Sequence, residues 1–337
     1  MNFCVIGLGR MGRRHLLVAK NLGFKIVGVY DPLPDSVRLA GEEYGLADEV
    51  IFSSVENMLQ STRPAALVVA STAPSHSKYV CMAAEAGVRY VLCEKPMAVS
   101  VQECDRMIAA CSQSGTVLAV NHQMRFLETF TYVKQLIDSP QFGGVSSITI
   151  AGSNFGLAMN GSHYVEIFRF LTGEDISSLN FWADSEKVPN PRGAEYADRS
   201  GQLRAVSASG KRLYIEMGSD QSHGIQITFG CRFGQVMLDE LTGNVRAVSR
   251  KAEFRELPST RYGMPADESL RQIESPDVIA ATEAVWRSMF DGAAFPDGAS
   301  GRHSTQVLVA ANVSGERGGE FVQLDDITLS ERVFHWA

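Results

Sequence analysis

Six short apolar runs recur in the first third of the chain, at Phe3–Ile6, Lys25–Tyr30, Val50–Ser53, Ala66–Ala70, Tyr90–Cys93 and Val117–Val120, with segments of helical pattern between them. Strands this apolar, with little polar alternation, belong in a parallel sheet covered by helices on both faces. The pattern predicts βαβ repetition. Six strands in about 120 residues match a doubly wound, dinucleotide-binding sheet.

The first crossover carries Gly7-Leu8-Gly9-Arg10-Met11-Gly12, directly after the first run and directly before a helical stretch ending near Leu22-Gly23. In that context Gly7 permits the tight turn, Gly9 lets the backbone approach a pyrophosphate, and Gly12 allows helix to pack closely on strand. The helix N-terminus, with Arg10 and Met11 at its start, offers unpaired N–H groups to the phosphates. Asp31 ends the second run at the distance where a carboxylate accepts hydrogen bonds from the adenosine ribose. Its charge disfavours a 2′-phosphate, and Pro32-Leu33-Pro34 supplies no arginine to bind one, so the expected cofactor is NAD rather than NADP. The plainer reading of Asp31 is a turn residue before Pro32.

Parallel strands place their C-terminal ends on one edge, where ligands bind. That edge should gather Ser71 and His76 after the fourth run, Glu94-Lys95-Pro96 after the fifth, and Asn121 and His122 after the sixth. A capping-box signature, Ser100-Val101-Gln102-Glu103, starts the next helix. Glu94-Lys95-Pro96 is thus a short loop between two defined elements, and a cis proline would fix it further. A lysine beside a positively charged nicotinamide has its pKa lowered by repulsion and desolvation, which suits acid–base work near neutrality. Lys95 is the first catalytic candidate, with Glu94 orienting it or a cofactor hydroxyl. Against this stand a solvated lysine at a strand end and a local ion pair of modest value.

The chain has 337 residues, 45% hydrophobic and 20% charged, enough for two domains, placed at 1–122 and 123–337. No run of eighteen apolar residues occurs, and the chain enters a strand-like segment without a leader pattern, so no membrane partner is expected and the location is read as cytoplasmic. Six cysteines without a Cys-x-x-Cys pair fit buried hydrophobes in a reducing compartment and offer no metal site. A net charge of −7 argues against nucleic acid and for small-molecule partners.

Beyond residue 145, alternating runs such as Arg212–Met217, Gly224–Thr228 and Gln235–Leu238 predict antiparallel pairing, with helices at Asp277–Phe290 and His303–Val313 covering that sheet. Residues 186–202 and 253–274 lack periodicity and are read as long loops. His163 starts a helix running to Leu171 and stopping at Thr172-Gly173; a helix N-terminus disfavours imidazolium, keeping this histidine neutral and able to share a substrate proton, or it merely caps the helix. His223 is read as a turn residue between strands.

The sequence resembles the Gfo/Idh/MocA oxidoreductases, through GLGRMG, STAPSH, LCEKPMA and NHQMRF in the first part and GSHYVEIFRFLTG at Gly161–Gly173 in the second. The resemblance implies an N-terminal Rossmann domain, and a C-terminal α/β domain with a large, mostly antiparallel sheet, substrate contacts and often an oligomer interface. A homo-oligomer, dimer or tetramer, is therefore expected. It also implies that Lys95 and His163 lie beside the nicotinamide and a carbohydrate-like substrate, and that Arg125 lies near the cofactor or the domain junction, where it could instead pair an acid. Many family dehydrogenases carry an aspartate four residues before this histidine; Met159 stands here, with Asn160 next to it and Glu166 one turn on. Asn160, Tyr164 and Asn154 are the substrate-contact candidates. The leading expectation is hydride transfer between NAD and a hydroxyl carbon of a sugar, cyclitol or nucleotide-sugar. A non-catalytic NAD and ligand sensor, and an enzyme with a bound, recycling NAD serving hydrolysis or epimerisation, stay open beside it.

Overall fold

The structure is a computed structural model; it describes residues 1–185, 193, 195, 196, 198–274 and 277–336. The first unit alternates β1 (Asn2–Ile6), α1 (Arg10–Asn21), β2 (Lys25–Tyr30), α2 (Pro34–Tyr44), α3 (Val55–Thr62), β3 (Ala66–Val69), α4 (Ala73–Glu85), β4 (Tyr90–Cys93), α5 (Val101–Ser114) and β5 (Val117–Val120). Its strands pair in parallel in the order β2-β1-β3-β4-β5. Both faces are buried, as near-continuous apolar runs require: Cys4, Ile6, Leu67 and Val91 meet α3, α4 and α5 on one side, and Phe3, Val5, Val68 and Leu92 meet α1 on the other.

Five strands form this sheet where six runs suggested six. Of Val50–Ser53, Ile51 reaches it through an isolated bridge to Val29, with the Phe52 N–H donating to the Val29 carbonyl at 3.0 Å; Asp48–Val50 is a 3₁₀ turn. The polar Ser54 side chain accepts from the Asn57 N–H at 3.2 Å and starts α3, which leaves no length for a strand.

The second unit comprises α6 (Glu128–Ile137), β6 (Val145–Ser153), α7 (Ser162–Thr172), β7 (Ile176–Ala183), β8 (Gly201–Ser207), β9 (Arg212–Gly218), β10 (Gln226–Cys231), β11 (Gly234–Asp239), β12 (Asn244–Arg250) and β13 (Ala266–Gln272), then α8 (Val278–Asp291), α9 (Gly298–Glu316) and β14 (Val322–Gln323). The nine strands run in the order β13-β12-β11-β10-β6-β9-β8-β7-β14, antiparallel except for β6 beside β9. One face buries Ile148, Ile150, Leu213, Ile215 and Phe229 against α6, α7 and α9.

Two expectations about this half are corrected. Residues 253–274 are not all loop, because β13 lies within them at the sheet edge. All seven of its residues are exposed, so no buried face imposes a period of two on its sequence. Helix α8 does not cover the nine-stranded sheet: Val285, Trp286 and Met289 complete the core of the first unit beside Phe3 and Leu92. The Val120 N–H likewise donates to the Pro296 carbonyl at 2.8 Å, tying the returning chain to β5. Of the aperiodic stretch 186–202, residues 186–192, 194 and 197 lie outside the described residues.

Candidate active site

The glycine loop has the shape its spacing suggests. Gly7 has φ +90°, and a Cβ there would lie 2.5 Å from the Ser71 nitrogen. At Gly12 a Cβ would lie 1.8 Å from the Gly7 carbonyl oxygen, so helix and turn touch backbone to backbone. Gly9 is different: nothing lies within 4 Å of its notional Cβ, which leaves open space over the loop. Gly9 is also the N-cap of α1, no side chain caps that end, and its first turn holds no acid. An uncapped helix start beside open space fits a pyrophosphate. Asp31 locks the loop from the side, its Oδ2 accepting from the Leu8 N–H at 2.6 Å and its Oδ1 from the Leu33 N–H at 2.8 Å. Each carboxylate oxygen retains acceptor capacity for a ribose hydroxyl. These residues fit NAD.

Glu94-Lys95-Pro96 is held from every side. The Lys95–Pro96 peptide bond is cis. Glu94, 5% exposed, meets the His15 Nε2 at 2.7 Å and accepts from the Asn121 Nδ2 at 2.8 Å. Burial alone would raise its carboxyl, but the His15 contact, the Lys95 charge and the Asn121 amide outweigh it and bring it down to about 2. Glu94 is therefore an ionised anchor among β4, β5 and α1. His76, fully buried, sets Nδ1 against the Pro96 carbonyl at 3.0 Å and Nε2 against the Ser71 carbonyl at 2.9 Å. It lies in the first turn of α4, a helix that takes in residues 73–76, and braces the loop from within. The Ser71 hydroxyl is paired with that of Ser75 at 2.6 Å. Trp336 closes the far side, its indole N–H donating to the Ala98 carbonyl at 3.0 Å.

Lys95 leaves this brace toward the second unit, where its ammonium donates to the Met159 carbonyl. Met159 lies in a π-helical turn, Gly156–Gly161, continuous with α7; such turns recur where a helix is reshaped for a site. His163, in the first turn of α7, stands edge to face with His122 at the end of β5, ring centroids 5.4 Å apart. Both imidazoles are buried. Desolvation, first, and the Lys95 charge, second, hold His122 down to about 3 and His163 well below the ordinary histidine value. Both are neutral near pH 7. The helix end invoked for His163 is not the cause, because the π turn already occupies that end. The His163 Nδ1 and both His122 ring nitrogens have no hydrogen-bond partner among the described residues.

Lys95, His122 and His163 thus converge, while other candidates are used internally. The Arg125 Nη1 donates to the Glu166 Oε1 at 3.2 Å, the Ser300 hydroxyl donates to the Glu166 Oε2 at 2.5 Å, and the guanidinium lies over Phe170 at 4.7 Å. This pin joins the segment after β5 to α7 and α9, and burial raises the Glu166 carboxyl against the pull of Ser300 and Arg125. The Tyr164 hydroxyl donates to the Glu240 Oε2 at 2.7 Å, and the Asn154 Oδ1 accepts from the Gly156 N–H at 3.1 Å, so neither points a spare group outward by default. Arg10 and Met11 open α1, with the Met11 sulfur accepting from Arg14 at 3.6 Å. Asn160 is half-buried in the π turn. His223 is exposed and bonded to its own turn, as read. Sequence reasoning undervalued His122 and passed over His15 and Asp198; only the adjacency of His122 to the strand end could have signalled the first.

Residues 1–122 match the model of an oxidoreductase family, NAD-binding Rossmann fold, the Gfo/Idh/MocA family. Solved structures extend the likeness over nearly the whole chain: an oxidoreductase from Agrobacterium radiobacter in complex with NAD+, L-tartaric acid and magnesium has a TM-score of 0.79 at 18% identity, covering 96% of this chain and 98% of that one. Through residues 1–122 the chain is similar to the Gfo/Idh/MocA family. An inositol dehydrogenase homolog from Azotobacter vinelandii, complexed with NADH and myo-inositol, superposes with a TM-score of 0.77 at 14% identity, over 96% and 97% of the two chains. Among curated relatives, the D-apiose dehydrogenase of Paraburkholderia graminis is 31% identical over 192 residues, 52% of this chain and 50% of the relative. The inositol 2-dehydrogenase of Burkholderia ambifaria is 28% identical over 252 residues, 71% of this chain and 70% of the relative. Among the described residues no helix is long and apolar enough to cross a membrane, and no cluster of acids, cysteines and histidines could hold a metal ion.

Proposed function

We propose that this protein is an NAD-dependent dehydrogenase acting on a secondary hydroxyl of a small sugar or cyclitol, nucleotide-sugars included. The observation that carries the reading is the docking of the Lys95 ammonium on the π turn that leads into His163, whose ring crosses that of His122, both imidazoles being held neutral, at the edge that bears the glycine loop. When bound, NAD supplies the hydride acceptor or donor. The glycine loop, the start of α1 and Asp31 would hold it, with Ser71, His76, Glu94 and Asn121 shaping the same edge.

The residues of this chain have the remaining tasks. Lys95, as the neutral amine left once its ammonium has released a proton to solvent, would take the hydroxyl proton on oxidation, and as the ammonium would return it on reduction. His163, neutral, would accept a hydrogen bond from the substrate hydroxyl and orient it, with Asn160 framing the same side, while the buried Tyr164, committed to Glu240, supports the helix from behind. Glu94, ionised and anchored, would keep Lys95 aimed. NAD is preferred to NADP because Asp31 would repel a 2′-phosphate. Six unpaired cysteines agree with a reducing compartment, and we place the protein in the cytoplasm. Self-association belongs to the same reading: β13 offers an exposed sheet edge with Leu270 75% exposed.

The test is a screen of sugars, cyclitols and nucleotide-sugars with NAD and NADP, following reduced nicotinamide, on the unmodified chain and on Lys95→Ala. Loss of the proton-transfer group should cost roughly 10²–10⁴-fold in kcat while NAD binding persists. Equal turnover in the two proteins would remove Lys95 from the chemistry. NAD binding without turnover on any compound would favour a ligand sensor, and tight NAD retention without net reduction would favour a recycling cofactor.

A further inference from the structure

Asp198 is an acid that no step above uses, yet it is bound to the Lys95 side of the site. It precedes β8, and its carboxylate accepts from three backbone N–H groups: Ala158 at 2.8 Å, Met159 at 2.9 Å and Arg199 at 3.0 Å. Two of those belong to the π turn. The turn is shaped around it, since a Cβ on Gly156, whose φ is +73°, would lie 2.2 Å from the Asp198 Oδ2. Met159 is therefore held at both ends of its own backbone: its N–H donates to Asp198 and its carbonyl receives the Lys95 ammonium.

We infer that Asp198 is the positioning residue for Lys95: it fixes the Met159 peptide on which the ammonium docks and supplies the negative charge that keeps that ammonium protonated until substrate and cofactor are in place. This rests on the reading of Lys95 as the proton-transfer group. Burial pushes the Asp198 carboxyl up on balance, and the three N–H groups and then the Lys95 charge offset part of that rise, so lysine and aspartate sense each other's charge. Among the described residues, titratable groups whose charge couples to Lys95 include Glu94 beside it, His122 at the end of β5, His163 on α7 and Asp198 ahead of β8. Glu94 is committed to His15 and Asn121, and the histidines are neutral; Asp198 is the acid that grips the docking peptide.

The test reads Lys95 directly, in the full chain, by NMR titration of ¹³C-labelled lysine side chains, with Lys95→Ala identifying the signal. Asp198→Asn should lower the Lys95 midpoint by about one pH unit, since an opposite charge is lost, and Asp198→Glu should restore part of the shift. Gly156→Ala, which displaces the carboxylate without changing any charge, should move it the same way. Lys95→Met reads the coupling from the other side, because the interaction is reciprocal: the Asp198 carboxyl midpoint should rise. With a polyol turned over by the unmodified chain, Asp198→Asn should move the pH limb of kcat/KM by the same amount as the lysine midpoint. A merely structural aspartate would lower activity and leave the limb in place. Unmoved midpoints in the variants that fold, Lys95→Met included, would overturn the inference. Absence of turnover in the unmodified chain would instead sink the dehydrogenase reading, and the titrations would still decide the role of Asp198.

Discussion

At the scale of single residues, the site turns on which groups carry charge. Lys95 faces two imidazoles that burial and its own charge keep neutral, so its removal should relax them upward. In Lys95→Met the His163 midpoint is expected to rise yet stay below the ordinary value, because desolvation, the larger cause, persists. Imidazole C–H resonances followed across pH 4 to 8 would check this, and an unchanged or lower midpoint would mean that the two side chains do not share a field. Lys95 and Glu94 were legible from a strand end followed by charge and proline, a local signal. His122 was not, because its setting depends on a ring from α7, and nothing in Asn121-His122-Gln123 announces that neighbour. Asp198 was hidden more deeply. It sits in an aperiodic stretch, and its three partners are backbone groups, which leave no trace in side-chain spacing.

At the scale of elements, the glycine loop separates folding from binding. Gly12→Ala puts a methyl into the Gly7 carbonyl, and backbone cannot yield cheaply; a loss of roughly 2–3 kcal/mol is expected, with NAD binding lost alongside. Gly9→Ala meets open space at φ −62°, an ordinary value for alanine. It should leave stability within about 0.5 kcal/mol, yet weaken NAD about tenfold by filling the space a pyrophosphate needs. Denaturation midpoints and NAD titration of both variants distinguish the two roles; equal effects on stability would refute the assignment. The loop, the five parallel strands and α7 were readable because apolar periodicity and glycine spacing are local properties. β13 was not readable, since an edge strand with both faces in water has no reason to alternate.

At the scale of the whole molecule, burying neutral histidines couples the fold to pH. His76, His122, His163 and His303 all titrate below the ordinary value, chiefly through desolvation; His303 lies at about 4. The unfolded chain binds protons at these side chains near pH 6.5 and the folded chain does not, so stability is full above that pH and is lost as pH falls toward the folded values. Each histidine contributes up to about 1.4 kcal/mol per pH unit in that window. Glu94, depressed to about 2, adds a loss in the same direction from about pH 4.5 downward. The urea midpoint should therefore fall steadily from pH 7 to 5; a constant midpoint over that range would show that these imidazoles are not buried as described.

The sequence by itself determined the parallel sheet, the glycine turn with its acid at Asp31, and the placing of Glu94-Lys95-Pro96 at a strand end, because each follows from the chemistry of neighbouring residues. Tertiary structure alone decided what Lys95 meets. The Met159 carbonyl, 64 residues away, the Asp198 grip on that peptide and the crossed rings of His122 and His163 exist only because α7 and its π turn pack against the strand edge of the other unit. Contacts between segments so far apart are fixed by how the faces pack, and packing leaves no local spacing for a reader of the chain to find.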